Sequence, residues 1–161
     1  MLSVNGARLL DRINELGAIG KDEEGRRTRL AASDTEKQGR DKVVSWMEDA
    51  GLKVVVDRIG NIFGIWETEE NKDKKPLMIG SHIDTVINAG QYDGCLGVIG
   101  AIEVIRTLKE AGRQSERPIV ACAFTNEEGV RYSPDMMGSL VYAGGLLVDQ
   151  VLKTIGIDGT I

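Results

Sequence analysis

Histidine occurs once in this 161-residue chain, as His82, and cysteine twice, as Cys95 and Cys122. Two cysteines are too few for a disulfide framework, so a reducing cytosol is the expected compartment. No apolar run approaches the roughly 18 residues that span a bilayer, which excludes a membrane-spanning helix. The polar opening from Met1 to Arg8 is not that of a secretory signal peptide. Lys and Arg nowhere cluster, and 20 of them stand against 25 Asp and Glu for a net charge of −5. That balance argues against nucleic acid or an anionic membrane as partner. What remains is 42% apolar and 28% charged, the composition of a globular domain with a core of its own.

The apolar pattern divides the chain into elements. Val4, Leu9, Leu10, Ile13 and Leu16 recur at helical spacing, with Asn5 as the cap. Gly17 to Ala32 is polar and dotted with glycine, and predicts a loop. A second helix is expected from Thr35 to Ala50, with Val43, Val44, Trp46, Met47 and Ala50 inward and Gly51 ending it. The valine-rich run Leu52–Ile59 and the run Asn61–Trp66 flank Gly60-Asn61 and read as a hairpin. Pro76–Ser81 and Arg117–Phe124 read as buried strands, with a long apolar helix Gly94–Gly112 between them. The inward face of that helix is expected to be Leu96, Val98, Ile99, Ile102, Ile105 and Leu108, and Gly94, Gly97 and Gly100 to serve close packing. A further helix is expected over Ser133–Ala143. The order strand, loop, helix, strand is that of a crossover unit, so the fold class is α/β, a layered sheet with flanking helices. Val148–Ile161 starts another helix and turn that closes nothing, and the chain reads as cut there.

Three short segments place acids and the lone histidine at predicted strand ends, where open α/β sheets bind their ligands. They are Gly80-Ser-His-Ile-Asp-Thr-Val, Gly90-Gln-Tyr-Asp-Gly and Phe124-Thr-Asn-Glu-Glu-Gly. Imidazole together with carboxylates suits zinc and other first-row divalent ions. Asp84, two residues beyond His82 on an extended chain, is placed to accept the ring's other N–H. Of two consecutive glutamates, one can hold metal while its neighbour takes a proton from water. Each feature also has an ordinary structural reading: a hydrogen-bonded histidine, an Asp-Gly helix cap, a solvated acidic turn. The spacing alone leaves both open. The two cysteines read as small buried residues.

The segments Gly80-Ser-His-Ile-Asp-Thr-Val, Tyr92-Asp-Gly-Cys-Leu-Gly-Val and Thr125-Asn-Glu-Glu-Gly resemble the metal-site motifs of the dinuclear aminoacylase/carboxypeptidase clan. Within it, the chain is similar to the N-carbamoyl-L-amino-acid hydrolase and allantoate amidohydrolase family. Asn5-Gly-Ala-Arg-Leu, Thr28-Arg-Leu-Ala, Gly39-Arg-Asp, Gly60-Asn-Ile-Phe-Gly and Met137-Gly-Ser carry the likeness along the chain. The resemblance implies that His82 binds one divalent ion, Asp93 bridges two and Glu128 binds the second. It makes Glu127 the general base and Asp84 the residue orienting His82. The ions implied are zinc, manganese, cobalt or nickel. The reaction implied is hydrolysis of a linear amide or ureido C–N bond in a small molecule, N-carbamoyl-L-amino acids or allantoate, with no nucleic acid or membrane involved.

Members of the family are more than twice as long, supply two more ligand histidines from later segments, and carry an inserted lid domain that mediates dimerisation. Here no second histidine exists, so each ion would keep two protein ligands where catalytic zinc normally has three. Residues 1–161 are therefore expected to be the N-terminal part of a dinuclear-metal, peptidase-like catalytic domain, weakly active or inactive alone. The complete protein is expected to be a cytoplasmic homodimer, and the piece to self-associate through an apolar sheet edge. The competing readings are a non-catalytic metal-binding or interaction module, and a dinuclear-metal aminopeptidase or aminoacylase.

Overall fold

The computed structural model describes residues 2–161. Helices α1 (Gly6–Ala18) and α2 (Asp34–Asp49) come first, and strands β1 (Lys53–Val56) and β2 (Ile62–Trp66) follow as a hairpin. Then come β3 (Leu77–His82), the long helix α3 (Cys95–Glu110), β4 (Ile119–Phe124), and the short helices α4 (Met137–Tyr142) and α5 (Val148–Val151). The expected cap of α1 forms, with Asn5 accepting from the N–H of Arg8, and at α2 the cap is Ser33, which accepts from that of Glu36. Gly51, at φ +68°, closes α2 in the left-handed conformation that a glycine takes without strain.

The sheet order is β1-β2-β4-β3. β1 and β2 pair antiparallel, as do β2 and β4, whereas β3 and β4 run parallel with His82 opposite Phe124. The β3–α3–β4 segment is thus the expected crossover unit inside a mixed sheet. β4 lies in the middle and is buried along nearly its whole length. Its alternation sorts the core into two layers. Ile119, Ala121 and Ala123 face the main cluster, built from Ile13 and Leu16 of α1, Val43, Trp46 and Met47 of α2, and Val98, Ile99, Ile102 and Ile105 of α3. Val120 and Cys122 face the other way, beside Phe63 and Phe124. There Tyr142 of α4 closes an aromatic group, 5.6 Å from Phe63 and 5.9 Å from Phe124 between ring centres.

Three expectations change. Leu96 is 47% exposed and not part of the core, because it shares a helix face with the exposed Val104 two turns on, while Cys95 and Val98 of the same turn are buried. Gly97 does permit close packing, since a Cβ there would stand 2.8 Å from that of Ser81, but at Gly100 a Cβ would meet nothing within 4 Å. Gly100→Ala should therefore stabilise the chain by about 0.5–1 kcal/mol, the ordinary helix-interior gain, read as a higher urea midpoint. Finally, the helix expected from Ser133 begins at Met137. The N–H groups of Met136, Met137 and Gly138 donate to the carbonyls of Glu127, Asn126 and Thr125, so this stretch serves the β4 exit before it turns helical.

Candidate metal centre

Because β3 and β4 are parallel, their carboxyl ends lie side by side, and the three acidic segments meet there. β3 ends at His82, whose ring is almost wholly buried, and the chain runs on through Ile83 to the buried Asp84. Asp93 stands just before α3, with its side chain 71% exposed. Glu127 and Glu128 follow β4. The Nε2 atom of His82 lies 3.3 Å from Oε2 of Glu127 and 3.7 Å from Oδ1 of Asp93. Ligand atoms of His82, Asp93 and Glu128 all fall within 4.8 Å of one another. The sequence-predicted residues are thus brought together without exception.

Asp84 does two jobs, by different atoms. Its backbone carbonyl lies 3.0 Å from Nδ1 of His82, and a carbonyl can only accept, so the contact requires the proton on Nδ1 and turns the Nε2 edge of the ring toward the acids. Its carboxylate stands farther from the ring, at 3.7 Å, and is occupied instead by the backbone N–H groups of Glu127 and Glu128, each 3.1 Å away. Sequence spacing pointed to the side chain as the ring's partner; the main chain makes the closer contact. The same loop is gripped from its other side. Asn61 accepts from the N–H of Thr125 and donates to the carbonyl of Gly138, while Asn126 donates to the carbonyls of Tyr132 and Pro134. Neither asparagine was singled out by sequence, where both read as turn residues.

The electrostatics favour a cation. Four carboxylates, those of Asp84, Asp93, Glu127 and Glu128, surround one imidazole. Burial, reinforced by the carboxylates of Asp93, Glu127 and Asp84 and opposed by His82, pushes the Glu128 carboxyl above its usual range. Its Oε1 is buried with no hydrogen-bond donor. A buried carboxylate oxygen without a partner costs free energy, and a divalent ion in the space between His82, Asp93 and Glu128 removes that cost. Nitrogen plus carboxylate oxygen is a ligand set that zinc, manganese, cobalt and nickel all accept. The residues present fit a metal.

Gly94 makes the geometry possible. At φ +61° it turns the chain into α3 directly against the imidazole, and a Cβ there would lie 2.6 Å from both Cδ2 and Nε2 of His82. Gly94→Ala should therefore cost about 1–3 kcal/mol from the left-handed backbone and displace the ring. Urea unfolding measures the first effect, and weaker Co²⁺ uptake in a visible-absorption titration measures the second.

The chain matches Peptidase family M28 over residues 61–156, well over half its length. It is 43% identical over 168 aligned residues to the N-carbamoyl-L-amino acid amidohydrolase of Geobacillus stearothermophilus, covering 96% of this chain and 41% of that one. It is 41% identical over 145 residues to the allantoate deiminase of Arabidopsis thaliana, covering 89% of this chain and 27% of the relative. Among solved structures, a hydantoinase/carbamoylase family amidase from Burkholderia ambifaria superposes with a TM-score of 0.95 at 38% identity, over 99% of this chain and 39% of the other. The chain therefore spans about two fifths or less of the length of these relatives. With β3, the crossover helix, β4 and the strand-end acids all in the matched region, the chain belongs to peptidase family M28, and its relatives include N-carbamoyl-L-amino-acid amidohydrolases and allantoate deiminases.

Proposed function

We propose that residues 1–161 form the metal-holding N-terminal part of the catalytic domain of a cytoplasmic, homodimeric amidohydrolase. Its substrates are small molecules with a linear ureido or amide C–N bond, N-carbamoyl-L-amino acids or allantoate. The observation that carries this reading is the convergence of His82, Asp93 and Glu128 within 4.8 Å, with Glu127 at 3.3 Å from the same imidazole. The names of the relatives support the substrate class.

In this reading His82, Asp93 and Glu128 would hold the divalent ions, which when bound would supply Lewis acidity toward the substrate carbonyl and water. Glu127, 36% exposed and outside the ligand trio, takes a proton from the attacking water as the O–C bond forms. It then delivers that proton to the departing nitrogen as the C–N bond breaks. With a carbamoyl substrate the carbamate released decays to carbon dioxide and ammonia. Asp84 keeps both the imidazole and the Glu127–Glu128 backbone in place while the proton moves.

The test is a chimera in which these residues replace the matching segment of the Geobacillus stearothermophilus amidohydrolase, so that the ligands of its later segments are present. Ammonia release from N-carbamoyl-L-amino acids or allantoate, abolished by chelation and restored by Mn²⁺, Co²⁺ or Zn²⁺, is the expected result. A folded, metal-loaded chimera that releases no ammonia from any of these substrates refutes it.

A further inference from the structure

Arg29 has the largest side chain among the fully buried residues, at 0% exposure, and it makes no ion pair among the described residues. Burying a guanidinium without a carboxylate partner is costly unless its donors are used. Here they are used on four acceptors. Nε donates to the carbonyl of Ile83 at 2.7 Å, and Nη1 to the carbonyls of Leu16 and Ile19 at 3.1 and 3.0 Å. Nη2 donates to Sγ of Cys95 at 3.2 Å. The main chain adds two more bonds: the Arg29 N–H donates to Oγ1 of Thr85, and the Arg29 carbonyl accepts from the N–H of Thr85.

The position of these acceptors matters more than their number. Ile83 lies between His82 and Asp84, and Thr85 follows them. Cys95 is the first residue of α3, two past Asp93 and next to the Gly94 on which the imidazole rests. Leu16 and Ile19 are at the end of α1, an element anchored in the core. One rigid planar fork therefore ties the segment bearing His82 and Asp84 to the segment bearing Asp93, and ties both to α1.

We propose that Arg29 is a positioning residue of the metal centre: its fork sets the separation and orientation of the His82 imidazole and the Asp93 carboxylate. It touches no reacting atom. The inference rests on the metal-centre reading above, and outer contacts of this kind are worth about ten- to a hundredfold in metal affinity. A lysine in its place keeps the charge but offers no planar fork, so on this proposal it does not substitute.

The experiment uses the 161-residue chain, where His82 is the only imidazole and gives an unambiguous signal. Wild type, Arg29→Met, Arg29→Lys and the control Arg12→Met are compared. Arg12 is also largely buried but lies over the Trp46 ring, away from the acids. Two readouts are taken: Co²⁺ affinity by visible absorption, and the ring ¹⁵N shifts of His82 without metal, recorded at a pH where the neutral ring is the form observed.

The expected result is a single Nδ1–H tautomer in wild type and in Arg12→Met, and shifts averaged between tautomers in both Arg29 variants. Co²⁺ affinity should fall about tenfold or more in the Arg29 variants and stay unchanged in the control. An Arg29→Met or Arg29→Lys chain that keeps wild-type affinity and a single tautomer overturns the proposal. So does a wild-type ring already averaged between tautomers. Where the wild-type chain, with two protein ligands per ion, takes up no Co²⁺, the ring shifts alone decide on Arg29, and the metal reading is decided by the chimera, in which the further ligands are present. Should Arg29→Met not fold, Arg29→Lys carries the same test.

Discussion

Glutamine at position 127 should lower kcat of the chimera for ammonia release by about 10²- to 10⁴-fold, the usual contribution of a general base. The change keeps size and shape and removes only the capacity to take a proton. Glu127 lies outside the trio whose ligand atoms converge, so bound metal, measured by elemental analysis, should remain at the wild-type ratio. The backbone N–H of residue 127 still donates to Asp84, so the loop should hold its position. Glu128→Gln is the contrast: it weakens a ligand, and loss of metal should precede loss of rate. A Glu127→Gln chimera that loses its metal would make Glu127 a ligand; one that hydrolyses at the wild-type rate would leave the reaction without its assigned base.

The largest effect on stability should come from Arg8→Ala, far from the metal centre. Glu103, in the middle of α3, is fully buried, and Arg8 of α1 meets it with Nε and Nη2 at 2.7 and 2.8 Å. The N–H of Asn5 and the hydroxyl of Thr107 also donate to it. Removing the arginine leaves a buried carboxylate short of its counter-charge, which should cost about 3 kcal/mol in urea unfolding. Replacing Arg8 and Glu103 together by methionine should cost much less, since no orphaned charge remains.

The pH dependence of this pair has a defined sign. Burial alone would raise the Glu103 carboxyl, but Arg8 and the Asn5 N–H outweigh it, and the group ends below its usual range. A depressed carboxylate contributes its stability in full above the unfolded value of about 4.3 and loses it as pH falls through the folded value. In Arg8→Ala the burial is left without its main opponent, so acidification should relieve the variant. The gap in unfolding free energy between wild type and Arg8→Ala should therefore be widest near neutral pH and narrow on acidification. A gap that widens in acid would contradict the assignment.

Much of this protein was legible without coordinates. Helix periods, the caps Asn5 and Gly51, and the strand–helix–strand order follow from local rules, because each depends on residues within a turn or two of one another. The five polar residues at the strand ends were legible for another reason: metal chemistry admits few side chains, and here one histidine stands among short acidic motifs. What the sequence could not carry was every choice made between distant segments. Leu96 fits the apolar stripe of α3 yet is exposed, because the segments packed against the helix decide which of its faces is covered. The start of α4 moved to Met137 because three N–H groups found carbonyls nine to thirteen residues back.

The same holds inside the site. Whether Asp84 meets the imidazole through its carboxylate or its carbonyl depends on where the Glu127–Glu128 backbone lies, 43 and 44 residues away. Arg29, in a polar loop, reads by itself as a solvated cation; its burial exists only because α1, the β3 exit and the start of α3 converge around it. The sequence by itself determined which side chains are candidates for the chemistry and which strands end beside them. Only the tertiary structure decided how those groups are aimed, because orientation is set by hydrogen bonds and packing between segments that no local pattern connects.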